Sequence, residues 1–194
     1  DKCNRLFTRA FKARGVRAVA LVINSPGGSP AESSLIFQRL RALRQQHKRV
    51  PLLVFVKDYA ASGGYYIACA ADEIIADPSS LVGSIGVISQ SFGYVQRLKR
   101  EGMTRRVHTS GKQKGGVDPY LPERRRDLAM EKRLLTEIHN NFIAAVNGSR
   151  GGKLKPEAAA RLHLSVAKTD GGVTALLLGK PSRWQLAKLV REGA

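Results

Sequence analysis

Hydrophobic positions in this chain occur in two patterns: short unbroken runs, and residues spaced by three and four. Arg17-Ala18-Val19-Ala20-Leu21-Val22-Ile23 is of the first kind, β-branched and without helical spacing, and predicts a fully buried strand. It stops at Asn24-Ser25-Pro26-Gly27-Gly28, a turn that no helix would tolerate. Ser29-Pro30-Ala31-Glu32 then carries the marks of a helix start. Ser29 can cap, Pro30 suits the first helical position, and Glu32 completes a capping box. Leu35, Ile36, Leu40 and Leu43 continue that helix towards His47. Val50 to Val56 predicts a second buried strand, then a turn to Ser62 and a helix to about Ala71. Glu73 to Ala76 predicts a short strand stopped at Asp77-Pro78. Leu81 to Ile88 predicts another, whose glycines allow close backbone approach.

Further along, Phe92 to Glu101 reads as a helix and Arg105 to Thr109 as a strand, before a Gly/Lys-rich loop from Ser110 to Pro119. A long helix is expected from about Pro122 to Val146, with Leu128, Leu134, Leu135, Ile138, Phe142 and Val146 on one side. Gly148 to Lys155 reads as a flexible break before a short helix near Pro156. No repeat of 20–50 residues is present. Strands alternating with helices imply an α/β domain with a mainly parallel sheet and flanking helices. A site is then expected where strand ends meet helix N-termini, the rim on which Gly27-Gly28 and Gly63-Gly64 both fall.

Composition adds bounds. At 194 residues and 43% hydrophobic, the chain is most simply one domain with a real core. Its first residue is Asp1 rather than Met, which reads as a fragment or a processed form. No run of 18 apolar residues or signal peptide stands in it, so no membrane span is expected. The formal net charge is +18, from 33 Lys and Arg against 15 Asp and Glu. That excess predicts attraction to acidic surfaces, an anionic membrane among them. Nucleic acid is disfavoured as a partner, because the basic residues are scattered and no aromatic-plus-basic recognition motif accompanies them. The plainer account is solvated helix faces. Cys3 and Cys69 are too few for a disulfide framework, and no Cys/His cluster points to a metal. Cys69 reads as a core thiol, and the compartment is left open.

Ser62 is the residue with chemistry in it. In Ala60-Ala61-Ser62-Gly63-Gly64 a serine stands where a buried strand turns into a helix, which exposes a hydroxyl beside free backbone N–H groups. The plain alternative is a helix-capping serine. A serine nucleophile needs a base. His47, His108, His139 and His163 are available, but none has an Asp at a recognisable triad spacing, and each reads equally as a surface or structural histidine. Lys112 and Lys114 lie in the loop Thr109 to Gly116, and a lysine that loses its proton can serve as well. Such loops are more often simply solvent-exposed. Acyl transfer also needs donors aimed at the developing oxyanion, and the backbone N–H groups of Gly28 and Gly63 are the evident candidates.

Four blocks together carry a resemblance. Asn24-Ser25-Pro26-Gly27-Gly28-Ser29, Ala60 to Tyr66, Ala71-Asp72-Glu73-Ile74-Ile75-Ala76 and Gly83-Ser84-Ile85-Gly86-Val87 resemble, in order and spacing, the signal peptide peptidase A family of serine peptidases. The likeness covers roughly Ala10 to Leu162. It implies the Clp protease/crotonase fold of repeated ββα-type units, here with the N-terminal strands missing, and no cofactor. It implies Ser62 as nucleophile, Lys114 as general base with Lys112 as runner-up, Ser84 as the serine that orients the lysine, and Gly28 and Gly63 as oxyanion donors. It further implies extended, largely apolar peptide substrates such as signal-peptide remnants, membrane association, and homo-oligomers in which serine and lysine can come from neighbouring copies.

Two departures stand out. The family's early N-terminal segment does not stand among these 194 residues, and beyond Leu162 they lack the family's usual aromatic-x-Gly-x-x-Ala helix. Residues 1–162 are therefore expected to form the peptidase domain and 163–194 an atypical segment. Three rival readings remain: a catalytically impaired relative, a basic interaction protein, and an acyl-CoA enzyme of the same fold.

Overall fold

The computed structural model describes residues 2–111 and 114–153. They fall into two compact units, one taking the chain up to Gly86 and again from Phe142, the other Val87–Asn141.

The first unit is built on four parallel strands, β1 (Val19–Ser25), β2 (Leu52–Ala61), β3 (Glu73–Ala76) and β4 (Leu81–Gly83). β1 runs along one edge of β2, from Val19 opposite Leu52 to Ser25 opposite Ala60. β3 and β4 lie one after the other on the other edge, opposite Leu53–Val56 and Tyr59–Ala61. The mainly parallel sheet with flanking helices agrees with the expected Clp protease/crotonase-like α/β fold.

Helix α2 (Pro30–Gln46) begins as its sequence requires. Ser29 occupies the cap, its hydroxyl accepts from the Glu32 N–H at 3.4 Å, and Pro30 stands at the first position. Its buried residues are Ser33, Leu40 and Leu43, a core-facing stripe that includes one polar side chain. An additional helix beyond those expected, α1 (Lys2–Phe11), packs on α2 through Phe11, which is fully buried. Leu6, Phe7, Ala10 and Phe11 were the signal for it, at helical spacing.

The short helix α3 (Gly63–Ala68) comes directly after β2. The long helix α5 (Arg125–Arg150) contributes Phe142, Ile143 and Val146 to the same core. Tyr66 of α3 stacks on Phe142 at 4.7 Å between ring centroids and meets Phe37 edge-on. Asp72, ahead of β3, accepts from Leu52 N–H at 2.8 Å and Arg44 Nε at 2.6 Å, and so ties α2 to the β2–β3 crossover.

Several boundaries differ from expectation. β2 runs on to Ala61, past an irregularity at exposed Lys57 and Asp58, because Ser25 of β1 pairs with Ala60 and β4 pairs with Tyr59–Ala61. The strand expected over 81–88 ends at Gly83, since Ser84 turns to φ 54° and breaks the extended run. The helix expected from Phe92 begins only at Val95 (α4, Val95–Arg100). Helix α5 continues through Gly148 to Arg150, then passes into a 3₁₀ turn, Gly151–Lys153, where a flexible break was expected. Buried Arg150 holds that end by donating to the carbonyls of Ala71 and Asp72. The short helix near Pro156 and the segment 163–194 lie outside the described residues.

The unit Val87–Asn141 has a different character. None of its described side chains is fully buried. It is held by contacts such as Tyr94 stacked on Tyr120, Arg105 paired with Asp118 at 3.2 Å and set over the Tyr120 ring, and Ser89 donating to Glu131. Arg105–Thr109, expected as a strand, is irregular here, because no neighbouring segment among the described residues offers it a ladder.

Candidate active site

The carboxyl ends of β1, β2 and β4 converge, the place where parallel sheets gather their sites. Ser62 comes just after the last residue of β2 and Ser84 just after the last of β4, on strands whose ends Ala61 and Gly83 lie opposite one another. The Ser62 N–H donates to the Gly83 carbonyl at 2.8 Å, which fixes the two turns together. Both serines have positive φ, 50° at Ser62 and 54° at Ser84, and among the described residues they are the two non-glycines with that conformation. A β-carbon makes this region costly, about 1–3 kcal/mol, so such geometry persists only where the surroundings enforce it. Ser62 has ψ −121°, neither strand nor helix geometry, so the chain turns sharply here from β2 into α3.

The hydroxyl of Ser62 is not spent on the helix. It stands at the N-cap of α3 but makes no capping hydrogen bond, although Tyr66 N–H does bond the Ser62 carbonyl at 2.9 Å. The capping role of Ser62 is thereby removed. Half-buried Ser62 presents an Oγ with no hydrogen-bond partner among the described residues.

The β1–α2 loop closes over this turn. Gly27 has φ +129°, and a β-carbon there would come within 2.8 Å of Ser62 Cβ and 3.2 Å of its Oγ. Gly64 lies against Ser25, where a β-carbon would meet the Ser25 carbonyl at 2.8 Å. A β-carbon on Gly63 would meet the Ser33 hydroxyl and lie 3.2 Å from the Gly28 nitrogen. The Gly28 and Gly63 nitrogens are therefore neighbours beside Ser62. Neither N–H donates to a turn or loop acceptor among the described residues, so both are available to a ligand oxygen.

Two further features shape the loop. At Asn24 the β1–β2 register shifts, and the Asn24 side chain bridges the irregularity by accepting from Tyr59 N–H and donating to Asp58. Ser25 Oγ accepts from Gly27 N–H at 3.2 Å. Beneath the site, burial pushes the Cys69 thiol up to about 12 and raises the Tyr65 phenol well above its ordinary range. Both are thus neutral, inert core groups. For Cys69 this is the expected core thiol.

The structure brings Ser62, Ser84, Gly28 and Gly63 together. Lys114 belongs to the other unit, where it is exposed in the loop after Gly111. Lys112 lies outside the described residues. Ser33 carried no expectation from the sequence, and Ser25 and Gly27 none beyond their place in the rim motif. The available signal for Ser33 was a polar residue on the stripe shared by Leu40 and Leu43. No three of His, Cys, Asp or Glu gather to hold a metal among the described residues.

The sequence pattern of peptidase family S49 matches residues 44–169, well over half of the chain. The chain belongs to this family. Among its relatives, Protease 4 of Haemophilus influenzae is 38% identical over 111 residues, 57% of this chain and 17% of that protein. The chloroplastic serine protease SPPA of Arabidopsis thaliana is 33% identical over 101 residues, 52% of this chain and 14% of that one. Higher identity, 52% over 149 residues, links it to a Brucella melitensis protein named Na(+)/H(+) antiporter NhaA, covering 77% of this chain and 20% of the relative. The chain thus spans about a fifth of that relative's length. Among the described residues here, no helix is long and apolar enough to cross a membrane. A shared stretch of 149 residues within this S49 chain of 194 necessarily takes in both Ser62 and Ser84.

Proposed function

We propose that this chain is a serine endopeptidase that works through a Ser62–Lys114 dyad. The observation that carries the reading is Ser62 itself: a serine at φ 50° with an uncommitted hydroxyl, beside two neighbouring N–H groups free to receive an oxyanion. In this mechanism Lys114 Nζ takes the Ser62 proton as Oγ attacks the scissile carbonyl carbon. The carbonyl π electrons move onto oxygen, and the Gly28 and Gly63 N–H groups hold that charge. Lys114 then gives its proton to the leaving amine as the C–N bond breaks. It next takes a proton from water, which attacks the acyl-enzyme and releases the acid while Ser62 regains its proton. Ser84 orients the lysine, and the Ser62–Gly83 hydrogen bond keeps its turn beside the nucleophile.

The substrates on this reading are extended, largely apolar peptides of the signal-remnant kind, laid along the open edge of β1 next to Gly27 and Gly28. The working form is a homo-oligomer. In support, Val87–Asn141 has no core of its own among the described residues yet exposes Ile88 and Phe92 at 78% and 79%, together with Met103, Met130 and Leu134. Contact with a second copy would cover such side chains and hold the Lys114 loop. The excess of positive charge favours an anionic membrane surface as the place of work.

The test is hydrolysis of a fluorogenic apolar peptide by the full chain. Ser62→Ala and Lys114→Ala should each lower kcat by at least about a thousandfold while leaving the circular dichroism spectrum unchanged. Turnover retained by either variant contradicts the dyad.

A further inference from the structure

Two N–H donors serve one oxyanion only if both lie about 2.7–3.1 Å from the position it will take. Here they come from different segments, Gly28 from the β1–α2 loop and Gly63 from the first residue of α3. No turn or loop backbone hydrogen bond joins residues 26–29 to residues 61–64. Their separation must therefore be set by packing, and the side chain in position to set it is Ser33. It is 5% exposed, on the inner stripe of α2. Its hydroxyl donates to the Ser29 carbonyl at 2.8 Å, the residue immediately after Gly28. The same oxygen occupies the space that a β-carbon on Gly63 would need.

We infer that Ser33 is a positioning residue for the oxyanion donors, a strut whose Oγ holds the Gly28 loop on one side and rests on Gly63 on the other. A helical serine often bonds the carbonyl four residues back with no wider consequence. What sets Ser33 apart is that its oxygen, already committed to Ser29, is also the surface on which Gly63 sits. Ser34, the next residue, instead accepts from Gln38 and from the Tyr66 hydroxyl, away from both glycines. Ser33 touches no reacting atom. It acts through the placement of two backbone nitrogens, and a shift of even 1 Å in such placement costs about a hundredfold in rate.

This inference rests on the proposed role of Ser62, and the experiment separates the two. The full chain is treated with an alkyl fluorophosphonate, whose phosphoryl oxygen needs the same donors as a tetrahedral intermediate. Labelling rate, thermal midpoint, and kcat and KM for the fluorogenic peptide are measured for wild type, Ser33→Ala and Gly63→Ala. The expected result is labelling of wild type at Ser62, with labelling and kcat slower by about ten- to a hundredfold in Ser33→Ala. KM should stay within about twofold, since substrate binding along the strand is untouched, and a purely structural loss would not divide in this way. Gly63→Ala should slow labelling similarly, because its β-carbon displaces the Ser33 hydroxyl. Wild-type labelling matched by Ser33→Ala overturns the strut and leaves the Ser62 reading intact. Absence of wild-type labelling at Ser62 overturns both.

Discussion

Ser62 is the nucleophile of the proposed reading, and its conformation is enforced by its neighbours rather than chosen by the residue. Its φ of 50° is held by the bond from its N–H to Gly83 and by Gly27 packed against its side chain. Gly27→Ala should therefore act twice. It puts a β-carbon 2.8 Å from Ser62 Cβ, and it asks an L side chain to adopt φ +129°. We expect a stability loss of about 1–3 kcal/mol in urea denaturation, with fluorophosphonate labelling slowed more than about tenfold. An unaltered labelling rate would mean that the β1–α2 loop does not shape the Ser62 turn. At this scale the sequence was readable where chemistry and turn grammar coincide. Gly-Gly after a serine, Pro-Gly-Gly after a strand and the Ser29 cap all announce themselves. Ser33 did not, because a serine inside a helix is ordinary until its neighbour across the fold is known.

Among the elements, α3 shows how short a helix can anchor a site when its far end is buried in a dry core. Its six residues end at Ala68 with Cys69 as the C-cap, and Tyr65 and Cys69 share a hydrogen bond in that core. Both are acids whose folded pKa is raised by burial, Cys69 to about 12 from an ordinary 9.0. Below the ordinary value the thiol is neutral whether folded or not, and stability is unaffected. Above it the unfolded chain loses a proton that the folded chain keeps, and stability falls as pH rises towards about 12. Each pH unit in that window costs roughly 1.4 kcal/mol per such group. Thermal midpoints between about pH 8 and pH 11 should therefore fall less steeply for Cys69→Ala than for wild type, whatever the two midpoints are at the start of the range. Parallel slopes would contradict a neutral buried thiol.

Strand positions were legible at this scale from apolar runs, as Glu73–Ala76 shows by matching its expected bounds. Strand lengths were not. Pairing that resumes at Tyr59 and Ala60 carries β2 past Lys57 and Asp58, and the lack of a ladder leaves Arg105–Thr109 irregular. Hydrogen-bond partners distant in sequence decide both, and a local pattern holds no record of them.

For the molecule as a whole, the S49 family assignment and the geometry of the first unit meet at one rim, while the proposed base lies in the unit Val87–Asn141. That unit is poor in buried side chains and rich in exposed apolar ones, which is why a homo-oligomer belongs to the proposal. The four motif blocks made the family legible, since they fix the turns that build the rim. They could not make the partner of Ser62 legible to the same degree, because a lysine in a Gly-rich loop has no local pattern that distinguishes a base from a solvated side chain.

The dyad is the central claim, and the most direct measurement maps the fluorophosphonate adduct by mass spectrometry in wild type, Ser62→Ala and Lys114→Ala. A Ser62–Lys114 dyad predicts a single adduct on Ser62, absent from Ser62→Ala and at least about a hundredfold slower to form in Lys114→Ala. An adduct on another residue, or one that forms on Ser62 at the wild-type rate without Lys114, would contradict it.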